Sequence, residues 1–228
     1  DLSNLVVNEA ADLGIVVDPD VDRLAFVSED GEVFGEEYTL VACADYYLKH
    51  YPGNTVSNLS SSRALKDVSD LNGCNHFFSA VGEVNVVELM KKKNAVIGGE
   101  GNGGIILPGL HYGRDALVGI ALFLSHLANL NISCSQLRSR YPSYFMSKDK
   151  IMLDKTVNVD KIINEISKKY SDQEINNEDG LKIDFENSWV QLRKSNTEPI
   201  IRVYSEAKSQ EEANMLSSKF IDEINMIK

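Results

Sequence analysis

The spacing of hydrophobic residues divides the chain into three segments with different rhythms. In the first segment, residues 11–17 form a largely apolar run that ends at Asp18, and such a run predicts a strand buried on both faces of a parallel sheet. Residues 24–28 and 32–34 flank the Asp30-Gly31 pair, which favours a tight turn. The first segment is therefore predicted to be a buried strand followed by a β-hairpin.

The middle segment alternates between helical and strand-like spacing. Residues 38–51 have apolar positions at helical intervals, and Pro52 and Gly53 follow as a stop signal. The same reasoning predicts strands at 55–59, 75–80, 95–98 and 104–107 and helices at 62–71, 84–92 and 114–128. Strands that alternate with helices indicate a parallel or mixed α/β layer. Pro142 and the polar residues 147–150 predict a linker after this layer.

The last segment has another order, in which strands follow one another directly. A strand at 151–153 and a helix at 160–170 are predicted first, and then strands at 181–185, 189–193 and 200–205. Ser209, with Glu212 three residues later, has the form of a capping box and predicts a final helix at 210–227. This order is typical of an α+β layer and not of a doubly wound sheet.

The composition is that of a globular protein with an acidic surface. The chain has 228 residues, 43% of them hydrophobic and 25% charged, with a net charge of −11. Such a charge argues against a nucleic-acid partner or a membrane surface, both of which favour basic faces. It does not exclude an anionic substrate, because a few local arginines can bind phosphate.

Cysteines and termini suggest the setting of the chain. The odd count of three cysteines, Cys43, Cys74 and Cys134, makes a disulfide framework unfavourable and points to a reducing, cytoplasmic location. No apolar run reaches the length of a membrane span, and no signal peptide opens the chain. The first residue is Asp1 and not Met, so we expect an excised fragment of a longer protein.

The first loop with candidate chemistry spans residues 18–23. Asp18, Asp20 and Asp22 place three carboxylates at alternate positions, and oxygen ligands of this kind suit Mg²⁺. An acidic surface turn is the simplest alternative. An EF-hand would need glycine where Arg23 stands and a helix before the loop. An aspartyl phosphatase would have Thr or Val where Asp22 stands.

The second loop, residues 98–104, contains five glycines in seven residues. Glycine lets the backbone approach a ligand closely and adopt positive φ. Glu100 and Asn102 are its polar side chains, and a carboxylate with an amide suits sugar hydroxyls. A glycine-rich turn that only joins two strands is the alternative.

The third loop spans residues 193–199, with Arg202 beyond it. Arginine offers a planar fork to phosphate oxygens, and the hydroxyls of Ser195 and Thr197 would complete a phosphate cradle around Arg193. A polar hairpin turn between two strands is the alternative.

The three loops, in this order, resemble those of the α-D-phosphohexomutases, the family of phosphoglucomutases, phosphomannomutases and phosphoglucosamine mutases. The family's metal loop, D-x-D-x-D-R, is matched by Asp18, Asp20, Asp22 and Arg23. Its sugar loop, G-E-x-S/N-G, is matched by Gly99, Glu100, Asn102 and Gly103. Its phosphate loop, R-x-S-G/N-T-E-P, is matched by Arg193, Ser195, Asn196, Thr197, Glu198 and Pro199.

The resemblance implies a fold and a division of the chain. Family members have four domains around a cleft. Residues 1–36 would then be the end of domain 2 with the metal loop, and 37–146 the mixed α/β domain 3 with the sugar loop. Residues 147–228 would be domain 4, a TATA-binding-protein-like α+β domain with the phosphate loop. The N-terminal domains of the family would be partners of this chain.

The resemblance also implies a mechanism. A phosphoserine in domain 1 gives its phosphate to a hexose phosphate, and the hexose bisphosphate so formed turns over and returns its other phosphate. Asp18, Asp20 and Asp22 would hold Mg²⁺, and Arg23 would stabilise the transferring group. Glu100 and Asn102 would bind the sugar. The phosphate that is not reacting would be held by Arg193, Ser195, Asn196, Thr197 and Arg202. The serine motif is missing from this sequence, so we expect the fragment alone to be inactive.

Two positions depart from the pattern common in the family. Gly104 stands where many relatives have a histidine, and the segment with Asn85 stands where many have a lysine. The nearby His111 is interpreted as structural. The glycine-rich loop followed by Gly113-Arg114-Asp115 resembles phosphoglucosamine mutases, in which Asn85 would contact the substituent at position 2 of the sugar. Phosphoglucomutase or phosphomannomutase activity, or a non-catalytic module that binds sugar phosphate, remain the alternatives.

Overall fold

The structure is a computed structural model, and it describes residues 1–153, 157–195 and 198–227. The chain folds as two compact units, Asp1–Pro142 and Ser143–Lys228. The first unit contains, in chain order, α1 (Leu2–Asn8), β1 (Leu13–Val17), β2 (Leu24–Ser28), α2 (Glu36–His50), β3 (Asn54–Asn58), α3 (Ala64–Leu71), β4 (His76–Ser79), α4 (Glu83–Lys93), β5 (Ala95–Glu100), β6 (Gly104–Ile106), α5 (Ala116–Leu130) and α6 (Cys134–Arg138).

A four-stranded mixed sheet forms the middle of the first unit. Its strand order is β4-β3-β5-β6, with β3 parallel to both β4 and β5, and β6 antiparallel to β5. The predicted α/β layer is therefore confirmed. Because β3, β4 and β5 run in the same direction, their carboxyl ends meet at one edge of the sheet, where ligands of open α/β sheets bind.

The N-terminal strands differ from the prediction. β1 pairs with β2 in antiparallel register, from Leu13 opposite Ser28 to Val17 opposite Leu24. Ile15, Val16 and Val17 are 39%, 48% and 38% exposed. The prediction that β1 is a parallel strand buried on both faces was therefore wrong. An apolar run indicates a preference for burial, but it does not specify the direction of pairing or the element that covers the strand.

The second unit is an antiparallel sheet with two helices. It contains β7 (Phe145–Met152), α7 (Val159–Lys169), β8 (Glu174–Asn176), β9 (Leu181–Asp184), β10 (Trp189–Lys194), β11 (Ile200–Ala207) and α8 (Gln210–Ile227). The strand order is β7-β11-β10-β9-β8, and every neighbouring pair is antiparallel. Ile162 of α7 and Phe220 of α8 belong to one apolar core with Val203 of β11, which confirms the predicted α+β layer.

Two details of the second unit were not predicted. Residues 147–150 were predicted as a linker but lie inside β7, where Ser147 is opposite Ser205 and Lys150 is opposite Arg202. Pairing along a neighbouring strand outweighs their polar composition. β8 was also missed, because three residues carry too short a pattern to be recognised.

The predicted start of the last helix is confirmed, since the Oγ atom of Ser209 accepts a hydrogen bond from the backbone N–H of Glu212. All three cysteines are free thiols. In the described parts of both units, no helix combines the length and apolar content needed to cross a membrane.

Candidate functional site

The carboxyl-end edge of the mixed sheet collects polar side chains from separate elements. β3 ends at Asn58 and β5 ends at Glu100, while Gly82 and Glu83 begin α4 shortly after β4. Since the three strands are parallel, residues far apart in sequence become neighbours at this edge. The edge is therefore the place where a ligand site can form.

Glu100 is held firmly at this edge. It is only 7% exposed, and its Oε1 atom accepts hydrogen bonds from Nδ2 of Asn58 at 2.8 Å and from the N–H of Gly82 at 3.2 Å. Its other oxygen, Oε2, lies 3.7 Å from Nη1 of Arg114. A buried carboxylate needs such partners, because an unpaired charge in the interior is costly. The bonds fix the orientation that the carboxylate presents to a ligand.

Arg114 joins several of these carboxylates, and we did not select it from the sequence. Its Nη2 atom lies 2.5 Å from Oδ2 of Asp22, and its Nε atom lies 3.2 Å from Oε2 of Glu83. With Glu100, three carboxylates from three separate elements surround one guanidinium. Arg114 therefore connects the predicted metal loop to the predicted sugar loop.

The metal loop between β1 and β2 is folded around Asp18. The Oδ1 atom of Asp18 accepts hydrogen bonds from the N–H groups of Asp22 and Arg23, at 3.1 and 3.2 Å. Val21 has a φ of +55°, a left-handed conformation that is costly for a β-branched residue and typical of functional loops. The carbonyl of Val21 accepts from the N–H of Ala116 and so attaches the loop to α5.

The electrostatics of the loop reflect crowded carboxylates. Burial, together with the charge of Asp18, raises the pKa of Asp22 above its ordinary value, although Arg114 and Arg23 act in the opposite direction. Burial acts to raise the pKa of Asp18 as well, but the backbone hydrogen bonds from Arg23 and Asp22 outweigh it and lower that pKa. Like charges held close together are relieved by a cation.

The donor type in this loop fits a hard cation, although the carboxylates do not yet converge. Asp18 and Asp22 are neighbours through their ion pairs with Arg23, both at 3.9 Å, while Asp20 is exposed. In the described part of the chain, no group of three His, Cys, Asp or Glu side chains is arranged to hold a metal ion. Oxygen ligands and negative charge suit Mg²⁺, but Asp20 would have to turn towards its neighbours.

A groove of about 320 Å³ lies between the metal loop and the sugar loop. Its lining includes Asp18, Arg23 and Glu36 together with Asn102. The Oδ1 atom of Asn102 accepts a hydrogen bond from the N–H of Gly104 and thereby shapes its own loop. The structure thus brings together the predicted residues Asp18, Arg23 and Asn102.

The sugar loop packs tightly on β2, which explains one of its glycines. Gly103 has a φ of +81°, and a Cβ atom there would collide with the backbone carbonyl of Leu24. A glycine is required where a left-handed conformation and a close backbone approach coincide. The contact fixes the sugar loop beside the strand that follows the metal loop.

The predicted phosphate loop lies in the second unit, between β10 and β11. Arg193 and Arg202 are directly opposite in the antiparallel register, so their side chains lie on one face of the sheet. Arg193 Nε is 2.9 Å from Oδ2 of Asp179, and Arg202 Nη1 donates to the hydroxyl of Tyr204 at 3.3 Å.

Part of the predicted phosphate loop can be placed, and part cannot. The Oγ atom of Ser195 accepts from the N–H of Glu198 at 3.3 Å. The other two predicted residues, Asn196 and Thr197, lie outside the described residues.

His111, which lies outside these loops, has the structural role that the sequence suggested. His111 Nε2 lies 3.0 Å from Oδ2 of Asp115, the residue that caps α5 by accepting from the N–H of Val118.

Comparison with known proteins confirms the family resemblance. Residues 35–144 match the sequence profile of "Phosphoglucomutase/phosphomannomutase, alpha/beta/alpha domain III". Residues 150–223 match that of "Phosphoglucomutase/phosphomannomutase, C-terminal domain". The two matches together cover most of the chain; the second lies within the second compact unit, and the first lies in the first unit except for its last two residues.

Curated relatives are phosphohexomutases, which are isomerases. The chain is 35% identical over 206 residues to a phosphoglucomutase/phosphomannomutase of Thermococcus kodakarensis, covering 89% of the chain and 45% of the relative. It is 33% identical over 210 residues to a phosphoglucosamine/phosphogalactosamine mutase of Sulfurisphaera tokodaii, covering 90% of the chain and 46% of the relative. The chain therefore spans about half the length of these relatives.

The fold is shared with solved structures. A phosphoglucomutase/phosphomannomutase family protein from Burkholderia thailandensis superposes with a TM-score of 0.83 at 23% identity. The superposition covers 98% of this chain and 48% of that protein. At 23% identity, this similarity shows a shared fold and no more.

Proposed function

Because this chain belongs to the phosphoglucomutase/phosphomannomutase family, we propose that it is part of a Mg²⁺-dependent phosphohexomutase. The reaction is the interconversion of the 1-phosphate and 6-phosphate of a hexose. The substrate is a hexose phosphate, most favourably glucosamine phosphate, and a hexose bisphosphate is the intermediate. The nucleophilic phosphoserine belongs to a part of the enzyme outside these residues.

One observation supports the proposal most strongly: two loops that are far apart in sequence line the same groove. Asp18 and Arg23 of the metal loop line it together with Asn102 of the sugar loop. Arg114 contacts Asp22 on one side and Glu100 on the other. A non-catalytic sugar-binding loop would not need an acidic loop held beside it in this way.

The metal loop suits phosphoryl transfer, in which catalysis rests on positioning and on charge stabilisation. Asp18, Asp20 and Asp22 would hold Mg²⁺, which supplies neutralisation of phosphate charge when bound. Arg23 lines the groove with its side chain 51% accessible, and its ion pairs with Asp18 and Asp22 are long, at 3.9 Å, so its guanidinium can turn towards a phosphoryl group from the side of the loop. Its planar fork matches phosphate oxygens.

The sugar loop suits hydroxyl recognition. The Oε1 atom of Glu100 accepts hydrogen bonds from Asn58 and Gly82, whereas Oε2 lies 3.7 Å from Arg114, beyond hydrogen-bond distance, so Oε2 is the oxygen that would accept hydrogen bonds from a sugar. A carboxylate that grips hydroxyls and no phosphate can hold the sugar in either orientation. Transfer to and from both ends of the hexose requires that freedom.

The second unit would hold the phosphate that is not reacting. Arg193 and Arg202 place two side chains on one face of the sheet, close in sequence to Ser195. Charge-assisted hydrogen bonds from such groups are the usual means of binding phosphate. Asn196 and Thr197 complete this proposed set through the family motif.

An amino sugar is favoured by charge at the sheet edge. Glu83 and Glu100 lie there with Asp22, and these three carboxylates share the guanidinium of Arg114, while Arg23 is a second, more distant partner of Asp22. The remaining negative charge would attract the ammonium at position 2 of glucosamine phosphate. The name of the Sulfurisphaera relative supports the same choice.

The test is a turnover assay of the complete protein from which the chain comes. Phosphorus NMR with Mg²⁺ and a hexose bisphosphate would follow the 6-phosphates of glucosamine, glucose and mannose. We expect interconversion of all three, with the highest kcat/KM for glucosamine. Binding without any interconversion would overturn the proposal in favour of a sugar-phosphate binding module. A higher kcat/KM for glucose or mannose would refute the substrate assignment alone.

A further inference from the structure

The side chain of Arg114 passes through space that only a glycine at position 104 leaves open. A Cβ atom built on Gly104 would lie 2.5 Å from Cδ and 3.0 Å from Cγ of Arg114. Real Cβ atoms do not approach so closely, and the atoms concerned belong to the middle of the arginine side chain, not its flexible end. Gly104 does not have a positive φ, so its backbone would accept another residue. The arginine, and not the backbone, therefore explains this glycine.

The environment of Arg114 is fixed from several directions. Its side chain is 13% exposed, and its Nε atom is buried. Ile106 forms a single β-bridge with Arg114, and the N–H of Arg114 donates to Oε1 of Glu83 at 3.1 Å. The stem and the backbone are thus held independently of the guanidinium contacts.

The guanidinium lies where three elements would otherwise repel one another. Asp22, Glu83 and Glu100 come from the metal loop, the first turn of α4 and the end of β5. Without a cation, three carboxylates this close would repel one another. Their charged forms would be disfavoured, and the side chains would turn apart. A lysine could not replace the arginine fully, because one ammonium cannot present several donors in a rigid plane.

From this geometry we propose that Arg114 is a positioning residue that sets the metal loop against the sugar loop, with Gly104 as its required partner. Arg114 holds Asp22 and Glu100 in register, and Gly104 provides the volume that the arginine stem fills. The inference rests on the proposed mutase function for its kinetic consequence. The steric pairing of the two residues stands apart from that function.

The steric pairing is tested on the 228-residue chain itself. In nitrogen-detected NMR, the chemical shift of the Nε–H group of Arg114 should differ from those of the exposed arginines. Its proton should exchange slowly with water, because Nε is buried. In Gly104→Ala, this signal should move to the chemical shift of the exposed arginines. Gly109→Ala is the matched control, since a Cβ there would come no nearer than 3.7 Å to the hydroxyl of Tyr47. An unchanged Arg114 signal in Gly104→Ala would overturn the pairing.

The positioning role is tested by kinetics of the complete enzyme. Arg114→Met should lower kcat/KM by roughly 10- to 100-fold, the range expected when charged hydrogen bonds are lost. It should also raise the Mg²⁺ concentration for half-maximal activity, while Arg114→Lys recovers part of both. Arg140→Met, the same change at an exposed arginine, should alter neither.

A double variant separates positioning from general loosening. Gly104→Ala and Arg114→Ala should be non-additive, with the pair no worse than Arg114→Ala alone, because alanine at position 114 removes the Cγ and Cδ atoms that a Cβ at position 104 would meet. Additive losses, or an unchanged Mg²⁺ requirement in an active Arg114→Met enzyme, would contradict the positioning role. If the wild-type enzyme had no mutase activity, the proposed function would be wrong. The NMR result would still decide whether Arg114 and Gly104 are sterically paired.

Discussion

Asn58 donates a 2.8 Å hydrogen bond from Nδ2 to Oε1 of Glu100 across 42 residues of sequence. Its own Oδ1 accepts from the N–H of Ser60 and the hydroxyl of Ser61, so both ends of the amide are used. The carboxylate that would meet the sugar is therefore oriented by a residue from another strand. This relationship gives the first prediction.

Asn58→Ala should raise KM for the hexose phosphate more than it lowers kcat, because Glu100 loses the partner that orients it. The free energy of unfolding of the chain should fall by about 1–3 kcal/mol, the cost of leaving buried polar groups unpaired. Steady-state kinetics and denaturant unfolding measure the two effects. The exposed Asn75→Ala is the matched control, and equal kinetics for both variants would count against the orienting role.

The metal loop makes a prediction that depends on Mg²⁺. Asp20→Asn should remove most activity of the complete enzyme at ordinary Mg²⁺ concentrations, because one of three charged oxygen ligands becomes neutral. Activity should be partly regained at high Mg²⁺. A titration of Mg²⁺ against initial rate measures this. Asp12→Asn, which is exposed and precedes β1, should behave like wild type; if Asp20→Asn did the same, the metal assignment would fail.

Asn85 should affect the choice of substrate. Its Nδ2 atom donates to the carbonyl of Val81 at 2.9 Å, which orients the amide, and its Oδ1 atom is an acceptor of the kind that suits an ammonium group. Asn85→Ala should lower kcat/KM for glucosamine phosphate several-fold more than for glucose phosphate. The ratio of the two constants is the measurement, and equal losses would show that Asn85 does not contact the position-2 substituent.

Acid should destabilise the first unit through Asp45. Burial acts to raise the pKa of this carboxyl, but hydrogen bonds from His126 and Lys49 outweigh it and hold the pKa well below its ordinary 3.8. A lowered pKa gives stability that is complete above the ordinary value and is lost as the pH falls below it. Asp45→Asn should therefore be less stable at neutral pH and less sensitive to acid.

Denaturant unfolding of the chain at neutral pH and at about pH 3 checks the Asp45 prediction. The loss between the two pH values should be smaller in Asp45→Asn than in wild type. Some loss of stability in acid should remain in Asp45→Asn because of Glu29. Burial acts to raise the pKa of Glu29, but hydrogen bonds from Ser133 and Ser135 lower it to about 2. The exposed Glu9→Gln should keep the wild-type difference, and an equally large loss in Asp45→Asn would disprove the assignment.

Much of the fold follows from local pattern. The last helix was predicted at its observed bounds, Gln210–Ile227, because the capping box and the apolar spacing agree. The strands β3, β4 and β5 lie within two residues of their predicted limits at both ends. Residues 147–150 were assigned wrongly, because their place in β7 is set by pairing with β11 and not by their own composition.

The candidate site was predictable only where the motif lies within one loop. Asp18, Arg23 and Asn102 were selected because their neighbours in sequence reveal the chemistry. Asn58 and Arg114 were not selected, because each reaches the site through the parallel strand order or the close approach of Gly104. Spacing along the chain carries no record of such contacts.

The central claim, that this chain carries sugar-phosphate binding groups but not the nucleophile, is tested most directly by an NMR titration of the chain with glucosamine 6-phosphate. The account predicts shifts first at the amides of Ser195 and Glu198, at millimolar ligand. It also predicts no conversion to the 1-phosphate in the same sample, with Mg²⁺ and a hexose bisphosphate present. Absence of shifts in residues 193–202, or turnover by the rigorously purified chain, would contradict it.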